Sequence, residues 1–361
     1  MDGPTIHFAP RQQRLSRLAP ASAPPLLSVT ALAGVPEFVR NRFGDKVVRA
    51  ANRAARIDIE AIEDRDCFIP HATMTTFLST VARRAGEPDL GLLLAPHLSL
   101  DAYGCWGRYV LDGADLHAAI ARSMEAIGYH SRGDRSVLRL HGAQAQFCYV
   151  SAARGREGYA HVAVGAVGVM LSLCRAYLPP SWRPLRIELD IPRPDRPSRF
   201  EDTFQCPVSF DAPVASVWFE ARLLAVERQI RSANPLLTLH DVARARLDPS
   251  SRDGLVGVVA AHIRAQVLSG SLSIDSTALA LEMSTRSLQR ALHDDGTDFR
   301  SLASVTRARR ARELLAGSRA SVSEIATELG YSTPANFARA FRKETGMSPS
   351  AFRRVTAKRS G

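Results

Sequence analysis

The sequence predicts two domains of different class: an α+β domain first, then an all-α domain with two helix-turn-helix motifs joined by a connecting helix. Three observations carry this prediction. Strand-like alternation of apolar and polar residues is confined to the first two thirds of the chain. A block near the C-terminus is written twice at a nearly constant offset. The chain also has 361 residues, more than one hydrophobic core usually serves.

Taken in order, residues 1–25 contain several Arg and Pro but no apolar stretch of signal-peptide type. They are expected to form a flexible tail on a protein that stays in the cytoplasm. From about residue 25 to residue 98 the pattern is helical, and "PHATMTTFLSTVARRAGEPDLGLLLAPHL" spaces its apolar residues three and four apart until Gly86 and Pro88 break it. Another helix is expected over residues 114–127. The period then drops to two in "SVLRLHG" and "AQFCYVS", which reads as a hairpin around Gly142. An apolar helix over about 158–177 follows, and "LRIELDI" and "SVWFE" supply further strands. The apolar run of 13 residues from Val162 to Cys174 is too short to span a membrane, which needs roughly 20. The first domain is therefore drawn at 26–232, with a linker at 233–253 where "DPSSRDG" supplies turn residues. The second domain is drawn at 254–356, with a short tail at 357–361.

Charge narrows the partners. Lys and Arg number 47 against 36 Asp and Glu, a net charge of +11, which favours an anionic partner such as nucleic acid. From residue 251 onward there are 17 basic and 10 acidic residues, so most of the excess lies in the second domain. The five cysteines, Cys67, Cys105, Cys148, Cys174 and Cys206, include no CxxC pair, which argues against a zinc site or a disulfide framework and for buried free thiols. The histidines of the first domain are irregularly spaced, so no metal ligand, cofactor or catalytic residue is assigned. No ligand-lining residue is assigned either.

The repeat begins with Ala278, Leu281, Met283, Ser284 and Thr285, matched 48 residues later by Ala326, Leu329, Tyr331, Ser332 and Thr333. It continues with Leu288, Arg290, Ala291 and Leu292, matched 49 residues later by Phe337, Arg339, Ala340 and Phe341. One residue has therefore been inserted in the second copy. Each copy reads as a helix, a tight turn, a Ser N-cap and a second helix. Ser321 and Glu324 suit a capping box, and Gly330 suits a left-handed turn. The first copy has Glu282 where the second has that glycine, so its turn is expected to be strained or differently shaped.

Helical geometry separates the faces. Leu288 and Leu292 are four apart and share the core side, whereas Arg290, two from each, points away. Arg286, Gln289 and His293 flank Arg290. In the second copy Thr333, Asn336, Arg339, Arg342 and Lys343 are assigned to the exposed side, opposite Phe337 and Phe341. Arg suits guanine and Asn or Gln suits adenine in the major groove. Between the copies, a helix over about 301–316 holds the motifs at a fixed spacing and carries Arg307, Arg309, Arg310 and Arg312.

Residues 254–354 resemble the DNA-binding domain of the AraC/XylS family of bacterial transcription regulators, most specifically in "GYSTPANFARAFRKETGMSPSAFR". The resemblance implies that Arg286, Gln289 and Arg290, and then Asn336 and Arg339, touch bases or phosphates. Pro334 and Ala335 stand where relatives often carry polar DNA-facing residues, which implies narrower base readout by the second motif. Residues 26–224 are similar to the regulatory domain of the subset called arabinose-binding, through the 70–98 stretch and "FQCPVSFDAP". A regulator is therefore expected, with promoter DNA as partner and a small-molecule effector on the first domain. It would reside in the cytoplasm, associate with the nucleoid when bound, and meet RNA polymerase if it activates. A homodimer is left open, and a membrane partner is not expected. Two alternatives are kept: an effector-independent regulator whose first domain only dimerises through the 162–174 helix, and a DNA-modifying enzyme. The enzyme reading needs an activated nucleophile or a cysteine cluster, and neither pattern is present.

Overall fold

In the computed structural model, residues 25–63, 67–228, 238, 239, 242, 255–318 and 320–357 are described. The expected N-terminal tail, the linker and the last residues fall almost wholly outside them. Near the start, Leu26–Ser28 (β1) pairs antiparallel with Phe68–Pro70 (β2). This ribbon corrects the reading of residues 25–98 as helical throughout. Each strand has only three residues, too few for a period of two to show in sequence.

Around the ribbon lie helices Val35–Phe43 (α1), Asp45–Ala55 (α2), His71–Ala85 (α3), Leu90–Leu94 (α4) and Gly104–Leu111 (α5). Leu116–His130 (α6) begins where the Asp115 carboxylate accepts a hydrogen bond from the Ala118 amide at 2.7 Å. Arg135–His141 (β3) and Gln144–Val150 (β4) form the expected hairpin. Their two-residue loop, Gly142–Ala143, has Gly142 at φ 59°, the left-handed entry that such loops need. Helix α7 (Tyr159–Arg175), strand β5 (Arg186–Glu188), helix α8 (Ser198–Phe204), and strands β6 (Val208–Ser209) and β7 (Ala215–Glu220) complete the region. The five-stranded sheet runs β3-β4-β7-β5-β6, antiparallel except for the β5–β6 pair.

Helix α7 packs against α3, α4 and β7. Ala163, Val167, Leu171 and Cys174 on it are almost wholly enclosed by their own domain. Dimerisation through the apolar helix at 162–174 is thereby corrected, because the surface it needs is already buried. At Gly168 an added Cβ would lie 2.5 Å from the Ala95 carbonyl oxygen, so the absence of a side chain there permits the close approach. All five cysteines are free; four are buried and Cys105 is half-buried. Burial pushes the Cys174 thiol up to about 12 and the Cys148 thiol up to about 11.

The remaining helices are Leu255–Leu268 (α9), Ile274–Ala280 (α10), Thr285–Asp294 (α11), Phe299–Gly317 (α12), Val322–Glu328 (α13), Pro334–Thr345 (α14) and Pro349–Ala357 (α15). They build a second core around Val259, Ile263, Leu288, Leu292, Phe337 and Phe341. Leu26 of β1 is buried in this second core, and α9 lies against β2. Among the described residues no helix is long and apolar enough to cross a membrane.

Candidate nucleic-acid interface and ligand cavity

Each copy of the repeat folds as two short helices around a tight turn. In the first, Ser273 caps α10 by accepting from the Ser276 amide, and Ser284 caps α11 by accepting from the Ser287 amide at 3.0 Å. Between them Glu282 sits at φ 57°, a conformation that disfavours a side chain. The second copy uses Gly330 at φ 71° for the same bend. The expected Ser321–Glu324 capping box is present, with both reciprocal hydrogen bonds formed.

One cap differs from expectation. The second copy is capped by Thr333, whose hydroxyl accepts from the Asn336 amide at 3.2 Å, and not by Ser332. Pro334 is the physical reason. Its ring holds the residue before it in extended conformation, and Pro itself fits the first helical turn, where its missing N–H is not needed. Ser332 is thus the inserted residue, and it moves the offset from 48 to 49.

Leu288, Leu292, Phe337 and Phe341 are each at most 1% exposed, which fixes the inner faces of α11 and α14. On the opposite side Arg286, Gln289, Arg290 and His293 are exposed, as are Thr333, Arg339, Arg342 and Lys343, while Asn336 is half-buried. The second set is partly tied together: Arg339 donates to Asn336 Oδ1 at 2.6 Å, and Asn336 Nδ2 donates to Ser332 Oγ at 2.9 Å. The two groups stand on separate helices braced by α12, which at about 1.5 Å per residue is about 28 Å long.

The arginines of α12 divide by task. Arg307 lies over the Tyr331 ring at 5.1 Å, and Arg310 reaches Glu313 at 3.1 Å and Glu328 at 3.3 Å, so both brace the second motif. Arg312 is exposed. A buried polar hub joins α9 to the first motif. Gln266 Oε1 accepts from the Ser273 amide and the Thr277 hydroxyl, both at 3.2 Å, and Gln266 Nε2 meets His262 Nε2 at 3.4 Å. Burial lowers the His262 pKa to about 4, so this imidazole is neutral at ordinary pH.

The first domain contains a partly open cavity of about 110 Å³. Its walls come from β1, the segment after it, α3, α5, α6, the β3–β4 hairpin and α7, with Trp106, His130, Asp134, Ser136, Tyr149 and His161 as its main polar-bearing residues. Sequence reasoning assigned none of these. No local signal could have found them, because the fold draws them together from α5, α6, the β3–β4 hairpin region and α7. The Asp134 carboxylate accepts from the Tyr149 hydroxyl and from the Ala152 amide at 2.7 Å, with His71 Nε2 at 3.7 Å. Four residues beyond that amide, Arg156 pairs with Glu282, so the loop behind the cavity touches the turn of the first motif.

Two helix-turn-helix units, an outward polar face on each second helix and a separate α+β domain with a cavity define a DNA-binding transcription regulator. Residues 48–227 match the family described as the arabinose-binding domain of AraC transcription regulators, and residues 277–355 match a helix-turn-helix domain. The chain belongs to the AraC/XylS family of transcription regulators. The ornithine utilization regulator of Pseudomonas aeruginosa is 25% identical over 303 residues, covering 83% of this chain and 88% of that protein. The regulator VqsM of the same organism is 41% identical over 81 residues, covering 22% of this chain and 25% of that protein. Among solved structures, the transcriptional regulator CdpR of Pseudomonas aeruginosa is 22% identical and covers 73% of this chain and 86% of that chain at a TM-score of 0.35.

Proposed function

We propose that this chain is a one-component regulator without enzymatic activity. Its first domain, 26–232, binds a small-molecule effector in the cavity, and its second, 254–356, grips promoter DNA in the cytoplasm. Arg286, Gln289, Arg290 and His293 meet one major-groove segment, and Thr333, Asn336, Arg339, Arg342 and Lys343 meet the next. The observation that carries this reading is the pairing, on each of two helices, of a fully buried apolar face with an exposed basic and amide-bearing face. A single amphipathic helix often has a charged outer face, but two with matching outward arginines at one fixed spacing suit a repeating groove. Contact with RNA polymerase follows if the protein activates, and a dimer would use a surface other than α7.

The test uses the full-length protein, intergenic DNA fragments from its own genome, and the variants Arg290→Ala and Arg339→Ala. Each variant is expected to keep its melting temperature and to lose about 1 to 3 kcal/mol of binding if its arginine reads a base. The affected positions should lie about 10 base pairs apart in footprints. Binding should also weaken steeply with salt, with a log-log slope of about −0.9 per phosphate neutralised. A flat salt response, or footprints in which both variants affect the same base pairs, rules the reading out.

A further inference from the structure

The cavity's walls are unbalanced in charge. Among the 25 residues that line it there is one carboxylate, Asp134, and no Lys or Arg. The side chain of Asp134 is only 2% exposed, and burial holds its neighbour His71 below the usual imidazole pKa. His161, also on the lining, is likewise lowered by burial. A guest carrying a carboxylate, phosphate or sulfate would be stripped of water, find no cationic partner and share the space with an existing anion.

The walls also limit hydrogen bonding. Most of them are Leu, Val, Ile, Met and Phe side chains. The polar end is largely consumed by itself: Asp134 is occupied by Tyr149 and the Ala152 amide, and His130 stacks on Trp106 at 4.6 Å and lies 4.8 Å from the Tyr103 ring. A sugar with its ring of hydroxyls could not be satisfied. Among the donors on lining residues, Trp106 Nε1 and Ser136 Oγ are buried and have no hydrogen-bond partner among the described residues. Buried donors are normally paired, so a guest with an acceptor oxygen supplies what these walls lack. The aromatic rings at this end stack on one another, and the Asp134 carboxylate is covered by Tyr149 and the Ala152 amide and almost wholly buried, so a cationic head would give up its water without reaching a carboxylate oxygen.

Building on the effector reading above, we infer that the cavity takes a compact, uncharged, mainly apolar molecule bearing one hydrogen-bond acceptor oxygen, of the class of a cyclic or short-chain alcohol or ketone. Size agrees. An apolar cavity of about 150 Å³ holds benzene, so this one, with slight expansion, suits about six or seven non-hydrogen atoms. A free amino acid or a sugar is excluded by charge or by unsatisfied hydroxyls.

The test is a matched set on one ring: cyclohexanol, cyclohexanecarboxylate, cyclohexylammonium and methylcyclohexane, titrated into the full-length protein at pH 7.5. Calorimetry should give cyclohexanol an affinity roughly tenfold or more above the carboxylate and above the ammonium, with methylcyclohexane intermediate. The Trp106 indole N–H resonance, assigned with Trp106→Phe, should move with cyclohexanol and stay in place with methylcyclohexane. Ser136→Ala should narrow the gap between those two. Ala166→Leu, which fills the cavity, should abolish binding; if it fails to fold, the indole resonance of the unaltered protein decides alone. Equal or tighter binding of either charged compound, or no binding by any of the four, overturns the inference. Promoter binding measured with and without cyclohexanol separates the two levels. A guest that binds without changing DNA affinity would remove the effector role and leave the ligand class standing, whereas preference for the carboxylate would do the reverse.

Discussion

The His262→Gln substitution gives a direct test of how α9 is joined to the first motif. His262 is 1% exposed, and burial alone lowers its pKa to about 4, whereas in the unfolded chain it titrates near the ordinary 6.5. Above pH 6.5 both states hold a neutral imidazole and stability is indifferent to pH through this group. Between 6.5 and 4 the unfolded state takes up a proton that the folded state refuses, so stability falls as pH falls. At about 1.4 kcal/mol per unit, the loss from pH 7.5 to pH 5 is about 2 kcal/mol, and it reaches about 3 kcal/mol near pH 4. Glutamine keeps an acceptor oxygen for Gln266 Nε2 but cannot be protonated. Urea unfolding of the full-length protein and of the variant, followed between pH 7.5 and 5, should show the variant flatter by about 2 kcal/mol. Other groups, His71 among them, titrate alike in both proteins and cancel in the difference. Because Gln266 also holds the Ser273 amide and the Thr277 hydroxyl of the first motif, DNA affinity should follow the same curve. Identical pH slopes for the two proteins would refute the claim that His262 is buried neutral at this joint.

Other outcomes follow from the same structure. Leu288→Ala and Phe337→Ala, both at fully buried positions, should each cost about 2 to 5 kcal/mol through cavities, seen as a lower urea midpoint with an unchanged slope. Glu282→Gly removes a side chain from a left-handed turn, a gain of about 1 kcal/mol, and loses an exposed ion pair to Arg156 worth less than that. Its melting temperature should hold or rise slightly, and a marked fall would mean that the contact between the domains contributes more than an exposed pair can. Ser321→Ala deletes the capping box of α13 and should cost about 1 kcal/mol in the same unfolding assay.

Much of the second domain was legible because its information is local. Periodic leucines and phenylalanines, Ser caps and a left-handed glycine act within a few residues, so both motifs and α12 could be read from the chain. The cap at Thr333 was misread by one position because the two copies were aligned by residue identity, whereas Pro334 sets where the helix starts. The sequence marks Arg307, Arg309, Arg310 and Arg312 alike as basic residues of the connecting helix, yet Arg307 and Arg310 are spent on Tyr331, Glu313 and Glu328. The contacts to Tyr331 and Glu328 reach 24 and 18 residues along the chain and have no local signature.

In the first domain the hairpin, the strand at β7 and the apolar helix α7 followed from periodicity, and the ribbon of β1 and β2 did not. Periodicity and caps alone determined that this chain is an α+β domain joined to a doubled helix-turn-helix motif, since those features reflect interactions within a turn or two of helix or across one hairpin. Only the tertiary structure decided that α7 is enclosed, that β1 lends Leu26 to the second core, and that Asp134 and Tyr149 from the hairpin region share a cavity with Trp106 of α5 and His161 of α7. A cavity is defined by what fails to fill the space between elements. That remainder is set when all the helices and strands have packed, and no single stretch of sequence records it.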